Sequence, residues 1–145
     1  MPTTQAYVLE ELGYKGLLLR ERRVPDLNSD EVMIRMRAAS INFRDLKIIR
    51  GTYARKPALP VVILSDGAGE VIAVGKKVKR FSEGDRVMPI YMSGWHDGPI
   101  SERHSGWKGL GGDTNGTATE LAVFQEENVV SIPNSLSYEE AACIP

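Results

Sequence analysis

The segment Glu31–Ser40 limits the choice of fold more than any other. Val32, Ile34, Met36 and Ala38 alternate with Met33, Arg35, Arg37 and Ala39, so one face is apolar and the other mixed. A period of two marks a half-buried strand, because successive side chains leave opposite faces of a sheet. The chain offers several partners for it. Gln5–Glu10 and Gly16–Glu21 flank Leu12-Gly13-Tyr14-Lys15, which predicts a hairpin. Val61–Leu64 and Glu70–Val74 are β-branched runs separated by Ser65-Asp66-Gly67-Ala68-Gly69. Gly84-Asp85 turns into a strand over Arg86–Tyr91, and strand character returns at Thr119–Phe124 and Asn128–Ile132. A mainly β domain with few helices is expected.

Two places switch to helical spacing. Over Asn42–Arg50, Phe43, Leu46 and Ile48–Ile49 recur at helical intervals, and Gly51 can end that short helix. Near the end, Ser137 at N-cap and Glu140 at N3 form a capping box, announcing a helix from Tyr138. Only five residues follow, Ala141-Ala142-Cys143-Ile144-Pro145. That apolar end has no evident place to bury, so the chain is expected to be a piece of a longer protein; the alternative is a frayed terminal turn.

The 145 residues suffice for one domain with a real core, and 42% hydrophobic against 26% charged residues is an ordinary globular balance. A net charge of −1 without a long basic run argues against nucleic-acid or membrane-surface binding. No stretch nears the roughly 18 apolar residues of a bilayer span. Met1-Pro2-Thr3-Thr4-Gln5 lacks a basic region followed by an apolar one, so no signal peptide is expected. Cys143 is the single cysteine, so an intrachain disulfide is impossible. A cytoplasmic setting is the simplest expectation.

Several motifs carry chemistry in other chains and lose it here. Gly67-Ala68-Gly69 resembles the start of a dinucleotide fingerprint, but Ile72 stands at the third glycine and Val71, Ile72 and Val74 cannot open a helix. Small residues there instead allow close backbone approach. Residues 91–117 hold seven of the fourteen glycines, both tryptophans and both histidines. Such a stretch is expected to be the least regular internal segment. His96 and His104 could join Asp97 or Glu102 around a metal, or be solvated loop histidines. Trp95 and Trp107 could stack on a planar ligand or pin the loop. Ser93-Gly94-Trp95-His96 lacks the strand–turn–helix setting of a nucleophile elbow.

The remaining signals form an ordered set: Ala39-Ser40-Ile41-Asn42-Phe43-Arg44-Asp45-Leu46, Arg50-Gly51-Thr52-Tyr53, Leu64 through Val71, Val78-x-x-Phe81-x-x-Gly84-Asp85-Arg86-Val87, Gly116 through Glu120, and Ile132 through Ala142. In this order and spacing the chain resembles the N-terminal domain of the medium-chain dehydrogenase/reductase superfamily, in its quinone-oxidoreductase-like branch. The resemblance covers nearly the whole chain, residues 1–145. It implies a GroES-like, partly open β-barrel with short helices. It also implies a Rossmann cofactor-binding domain after residue 145, with substrate and nicotinamide meeting in the cleft between the two.

The departures from the superfamily's zinc enzymes are informative. Asn42 stands where they place a cysteine ligand, and Ser65-Asp66 where they place a His-Glu pair. Residues 91–117 lack every cysteine of their structural-zinc lobe. No metal and no zinc is therefore expected, and an asparagine amide is no strong Lewis acid. Catalysis would rest on positioning and on hydrogen bonds to a developing oxyanion.

On this resemblance Asn42 faces the nicotinamide or the substrate oxygen. Tyr53 supplies a phenol at the cleft, as donor or as wall. Phe43 and Arg44 join Asn42 at the cofactor, which is NADP or NAD, and Arg44 suits a carbonyl or a phosphate. Asp45 orients Arg44 or a nearby backbone group; alternatively Arg44 and Asp45 are neighbours on a solvated helix face. Ser65 and Asp66 lie near the substrate or merely cap a turn. The expected parent is a homodimeric, zinc-free NAD(P)H-dependent oxidoreductase. It would reduce a small-molecule quinone, enone or carbonyl by hydride transfer, and the isolated domain would be inactive. The alternatives are a zinc-independent alcohol dehydrogenase and a stand-alone GroES-like binding module without enzyme activity.

Overall fold

The computed structural model describes residues 3–95, 97–99, 106 and 108–145. The chain opens with a hairpin: β1 (Thr3–Leu9) pairs antiparallel with β2 (Leu17–Arg23), as the turn residues between them predict. β3 (Glu31–Ser40) leads into α1 (Phe43–Arg50), which ends at Gly51 in the left-handed conformation, φ 73°. Glycine adopts that conformation without a Cβ clash. β4 (Val61–Val62) and β5 (Asp66–Val74) follow, then β6 (Arg86–Pro89), β7 (Met92–Ser93), β8 (Lys108–Gly109), β9 (Leu121–Gln125), β10 (Val129–Ser131) and α2 (Tyr138–Ala141).

The strands form a five-stranded sheet in the order β10-β6-β5-β3-β9, a three-stranded sheet β2-β1-β4, and the ribbon β7-β8. The alternation in β3 is realised: Val32 and Ile34 face a core shared with Val71, Val87, Phe124 and Val129. Register shifts between β3 and β5, at Met33/Ile34 and at Met36/Ala38, mark bulges. Bulges bend and twist a sheet, which suits a curled, partly open barrel. A second core lies under α1, where Ile48 and Ile49 pack with Leu9, Val61 and Ile63. Burying each isoleucine stabilises the fold by about 1.5–3 kcal/mol.

Two sequence expectations need correction. Ser65–Gly69 does not separate two strands: β5 begins at Asp66, and Ser40, Ala39 and Ala38 pair with Asp66, Gly67 and Ala68. Gly67 and Gly69 permit that pairing. A Cβ on Gly67 would lie 2.7 Å from Met36 Cε and 2.9 Å from Thr117 Cβ. The apolar end is divided: Ala141 and Ala142 find a burial site, whereas Cys143, Ile144 and Pro145 stay exposed as expected. Glu140 N–H donates to Ser137 Oγ (3.1 Å) and Ser137 N–H to Glu140 Oε2 (2.8 Å), completing the capping box. Ala141 and Ala142 then pack against Ala68, Met88 and Ile132.

The glycine-rich stretch is regular at both described ends. β7 and β8 pair through Met92–Gly109 and Ser93–Lys108, and residues 109–112 are buried. Trp95 Nε1 donates to the Gly98 carbonyl at 2.9 Å, so this ring does pin its loop. His96, Glu102, His104 and Trp107 lie outside the described residues. Gly111 and Gly116 press against the backbone of Leu64, which is buried and holds a left-handed φ of 70°. Thr117 N–H donates to the Leu64 carbonyl at 3.0 Å. Among the described residues no helix is long and apolar enough to cross a membrane.

Candidate active site

The turn at Leu64 and the start of α1 bring two short stretches together. Asn42 is the N-cap of α1, a position where a side-chain oxygen ordinarily serves the first turn. The nitrogen of the same side chain points elsewhere: Nδ2 donates to Asp66 Oδ2. The backbone amide at the helix entrance is served from within the first turn, where Asn42 N–H donates to Asp45 Oδ2 at 2.8 Å. Thr117 Oγ1 donates to the Asp66 carbonyl at 2.9 Å and fixes the strand start.

Asp45 is 2% exposed, Ser65 3% and Asp66 7%. Burial pushes the Asp66 carboxyl above the usual carboxylate range, against the opposing pull of Ser65, Asn42 and Arg44. Asp45 is pushed up for the same reason, with the Asn42 N–H and Arg44 opposing and Asp66 reinforcing. Asp45 Oδ1 is buried without a hydrogen-bond partner. These positions rule out Arg44 and Asp45 as neighbours on a solvated helix face. Asp45 accepts from the Asn42 backbone N–H within its own first turn.

Arg44 is held on three sides. Its Nη1 donates to the Leu110 carbonyl at 2.9 Å. Its guanidinium carbon lies 5.0 Å from the centre of the Tyr53 ring and 4.8 Å from that of Tyr91, both within cation–π range. Glycines make the room: a Cβ on Gly109 or Gly112 would sit 3.0 Å from Arg44 Nη2. The Nε of Arg44 is buried and unpaired. Arg44 and Tyr91 lower the Tyr53 phenol below its ordinary range by hydrogen bonding to its ionised form. Burial, reinforced by Tyr53, raises that of Tyr91. Asp113 stands nearby, 3.3 Å from Arg55 and accepting from Gly109 N–H at 2.9 Å.

A cleft of about 180 Å³ is lined by Asn42, Arg44, Ser65, Asp66, Tyr91 and Pro145. Four expected site residues therefore meet in one place. Tyr53 does not line this cleft and sits behind Arg44. Phe43 also lies outside its lining and is 68% exposed, with Lys47 Nζ 5.4 Å from its ring centre. Tyr91 escaped the sequence analysis. The only local signal was the pair of glycines, 109 and 112, that admit the group it flanks.

The cleft's donor set is an amide, a hydroxyl, a carboxylate and a guanidinium. It lacks thiolate and imidazole, and Asn42 turns an N–H to Asp66, so the two satisfy each other instead of converging on a cation. This set does not fit zinc. Among the described residues no three His, Cys, Asp or Glu gather as a metal cluster. For a dinucleotide the fit is partial. The amide, carboxylate and phenol suit the polar ring end, while Gly67 and Gly69 are spent on strand packing and leave no phosphate cradle.

The curled sheet, the hairpin sheet beside it and the polar cleft at α1 define a GroES-like domain. The profile of the alcohol dehydrogenase GroES-like domain matches residues 28–134, and the chain belongs to that family, within the medium-chain dehydrogenase/reductase superfamily. The chain is 39% identical to a zinc-type alcohol dehydrogenase-like protein of Schizosaccharomyces pombe, over 92% of this chain and 38% of that protein. It is 37% identical to a quinone oxidoreductase of Pseudomonas aeruginosa, over 91% of this chain and 34% of that one. A Sinorhizobium meliloti structure assigned as an alcohol dehydrogenase superposes with a TM-score of 0.88 at 35% identity, covering 98% of this chain and 42% of that one. The chain thus spans between 34% and 42% of the length of these three proteins.

Proposed function

We propose that this chain is the catalytic domain of a zinc-independent NAD(P)H-dependent reductase acting on a polarised C=C or C=O bond of a small quinone, enone or carbonyl compound. It works with a nucleotide-binding domain that holds the cofactor's phosphates. The greater length of the relatives and the lack of a phosphate cradle among the described residues support that division. The observation that carries the reading is Asn42, set at the entrance of α1 and tied through its side-chain nitrogen to buried Asp66 on the cleft wall.

Bound NAD(P)H supplies the hydride. The chain's own residues do the rest. Asn42 positions the nicotinamide or the substrate oxygen through its amide, and Asp66 fixes the rotamer of Asn42. Arg44 orients the electron-rich end of the substrate and favours negative charge developing there. The phenols beside Arg44 provide the proton that completes the reduction. Asp45 holds the first turn of α1, so Asn42 stays at the cleft.

The test uses the chain extended to the length of its relatives. Asn42→Ala should slow NADPH-dependent reduction of an enone or quinone roughly 10²-fold. Elemental analysis should find no stoichiometric zinc in either protein. Equal rates for wild type and Asn42→Ala, or about one zinc per chain at this site, would remove the proposal. The 145-residue chain alone should neither bind NADPH at micromolar concentrations nor turn over substrate.

A further inference from the structure

We propose that Arg44 is a positioning residue that fixes Tyr91 in the cleft wall by tying α1 to the turn at residues 109–112. The inference rests on the reductase reading above for its kinetic consequence, though not for its geometry. A ring of contacts closes through Leu110. Arg44 Nη1 donates to the Leu110 carbonyl at 2.9 Å. Leu110 N–H donates to the Tyr91 carbonyl at 3.1 Å. The Tyr91 ring centre lies 4.8 Å from the Arg44 guanidinium carbon, which returns the circuit to its start. The turn itself is rooted, because Leu110 is buried in the core of the five-stranded sheet. Reciprocal hydrogen bonds set its shape: Gly109 N–H donates to Asp113 Oδ2 at 2.9 Å and Asp113 N–H to the Gly109 carbonyl at 3.0 Å. On the other side of the cation Tyr53 packs at the edge of the second core, its ring centre 5.0 Å away. One guanidinium thus joins the two cores at the cleft.

Arginine suits this place for a geometric reason. A guanidinium donates hydrogen bonds in its plane and attracts aromatic rings, so it serves a carbonyl and two phenol rings together. An ammonium is a single point charge on a flexible stem and cannot hold all three. The edges of the group are spent on the turn. Nη1 is taken by Leu110, and Nη2 lies 3.0 Å from where a Cβ on Gly109 or on Gly112 would stand. Besides its charge, what Arg44 gives the cleft is therefore the place of Tyr91, which lines it with Asn42, Ser65 and Asp66. The two glycines differ in a useful way. A Cβ on Gly109 would also meet the Tyr91 ring and hydroxyl, both at 3.1 Å. A Cβ on Gly112 would meet Arg44 and, at 3.2 Å, Ile48 Cδ1, with no atom of Tyr91 among its nearest neighbours. Alanine at 112 therefore reaches Tyr91 by way of Arg44.

A double-mutant cycle read by carbon-13 NMR of labelled tyrosines in the 145-residue chain tests the bracing. Gly112→Ala should displace the Tyr91 ring signals, and so should Arg44→Met. Adding Gly112→Ala to Arg44→Met should displace them no further. Tyr7, Tyr14 and Tyr138 should hold still throughout, which a general loosening of the fold would not allow. If Arg44→Met unfolds the chain, Arg44→Gln, shorter and equally uncharged, takes its place in the cycle. In the extended chain, Gly112→Ala should lower kcat roughly tenfold on its own and by under about twofold when added to Arg44→Met. Arg44→Lys keeps the charge and loses the planar fork, so kcat should stay about tenfold low with KM within about twofold of wild type. A Tyr91 signal that ignores Gly112→Ala, effects that simply add in the double variant, or wild-type kcat in Arg44→Lys would overturn the positioning role while leaving the reductase standing. An extended wild type with no reductase activity would overturn the reductase reading, and the NMR cycle would still uphold or overturn the bracing.

Discussion

Around Val32, Ile34 and Val71 the interior of the five-stranded sheet is apolar, and each of these side chains is 0% exposed. Beneath the start of α1, burial is almost as complete but the residues are Asp45, Ser65 and Asp66. The carboxylates of the outer surface differ again. Glu10, Glu70 and Glu126 are lowered in pKa, chiefly by hydrogen bonds from Arg20, from Arg37 and from the Arg80 backbone. Asp45 and Asp66 are raised by burial. The wall therefore holds the domain together, and the corner draws on that stability to keep charged groups dry.

The comparison breaks first if the wall proves dispensable. Ile34→Ala should cost about 2–5 kcal/mol, the range for truncating a fully buried isoleucine. Urea denaturation measures this, and a loss under about 1 kcal/mol would mean that the sheet is not the main source of stability. The corner should respond in the opposite direction. Asp66→Asn removes a desolvated charge while keeping a side chain that can pair with Asn42. At pH 7 it should be as stable as wild type or more stable by up to about 1 kcal/mol.

A pH series sharpens the same contrast. The folded pKa values of Asp45 and Asp66 lie above their unfolded ones, so the native state holds these protons longer as pH rises. Stability from these two groups is complete below the ordinary carboxylate range and is lost as pH climbs through the raised native values. The advantage of Asp66→Asn over wild type should accordingly shrink in mild acid; an advantage that grows there would reverse the assignment. Glu10, Glu70 and Glu126 work the other way, their contribution fading as pH falls through the lowered native values. The smallest effect belongs to Glu10→Gln. It breaks the exposed pair with Arg20 at 2.7 Å and should leave the urea midpoint within experimental scatter.

Much of the wall could be read directly from residue order. The alternation in Glu31–Ser40 needs no tertiary information, because a pleated backbone imposes it. Gly51 and the Ser137/Glu140 pair mark helix ends through local hydrogen bonds, and both ends fall where these residues stand. Asp66–Gly69 was illegible for a physical reason. Ser-Asp-Gly-Ala-Gly has the composition of a turn, and its strand conformation comes from pairing with Ala38–Ser40 and from the closeness of Met36 and Thr117. Asn42, Arg44, Ser65 and Asp66 were found through a family resemblance, not through spacing. Tyr91 was missed because its one signal, the glycines at 109 and 112, lies well along the chain from it, and the cation it flanks comes from α1.

Leu64 carries a consequence of its own. Its left-handed backbone turns the chain so that Asp66 opens β5 at the cleft, at a cost on the order of 1–3 kcal/mol for a residue with a Cβ. Glycine would relieve the backbone but empty a place in the second core beside Ile48 and Val61. A β-branched residue would keep the core filled and worsen the backbone. Every single exchange at this position trades one defect for another, and Gly111 and Gly116 close the way for a neighbour to compensate by moving. Position 64 is thus an evolutionary dead end of one step: improvement demands at least two simultaneous changes. Libraries built from single substitutions should return leucine there whether they are selected for turnover or for stability.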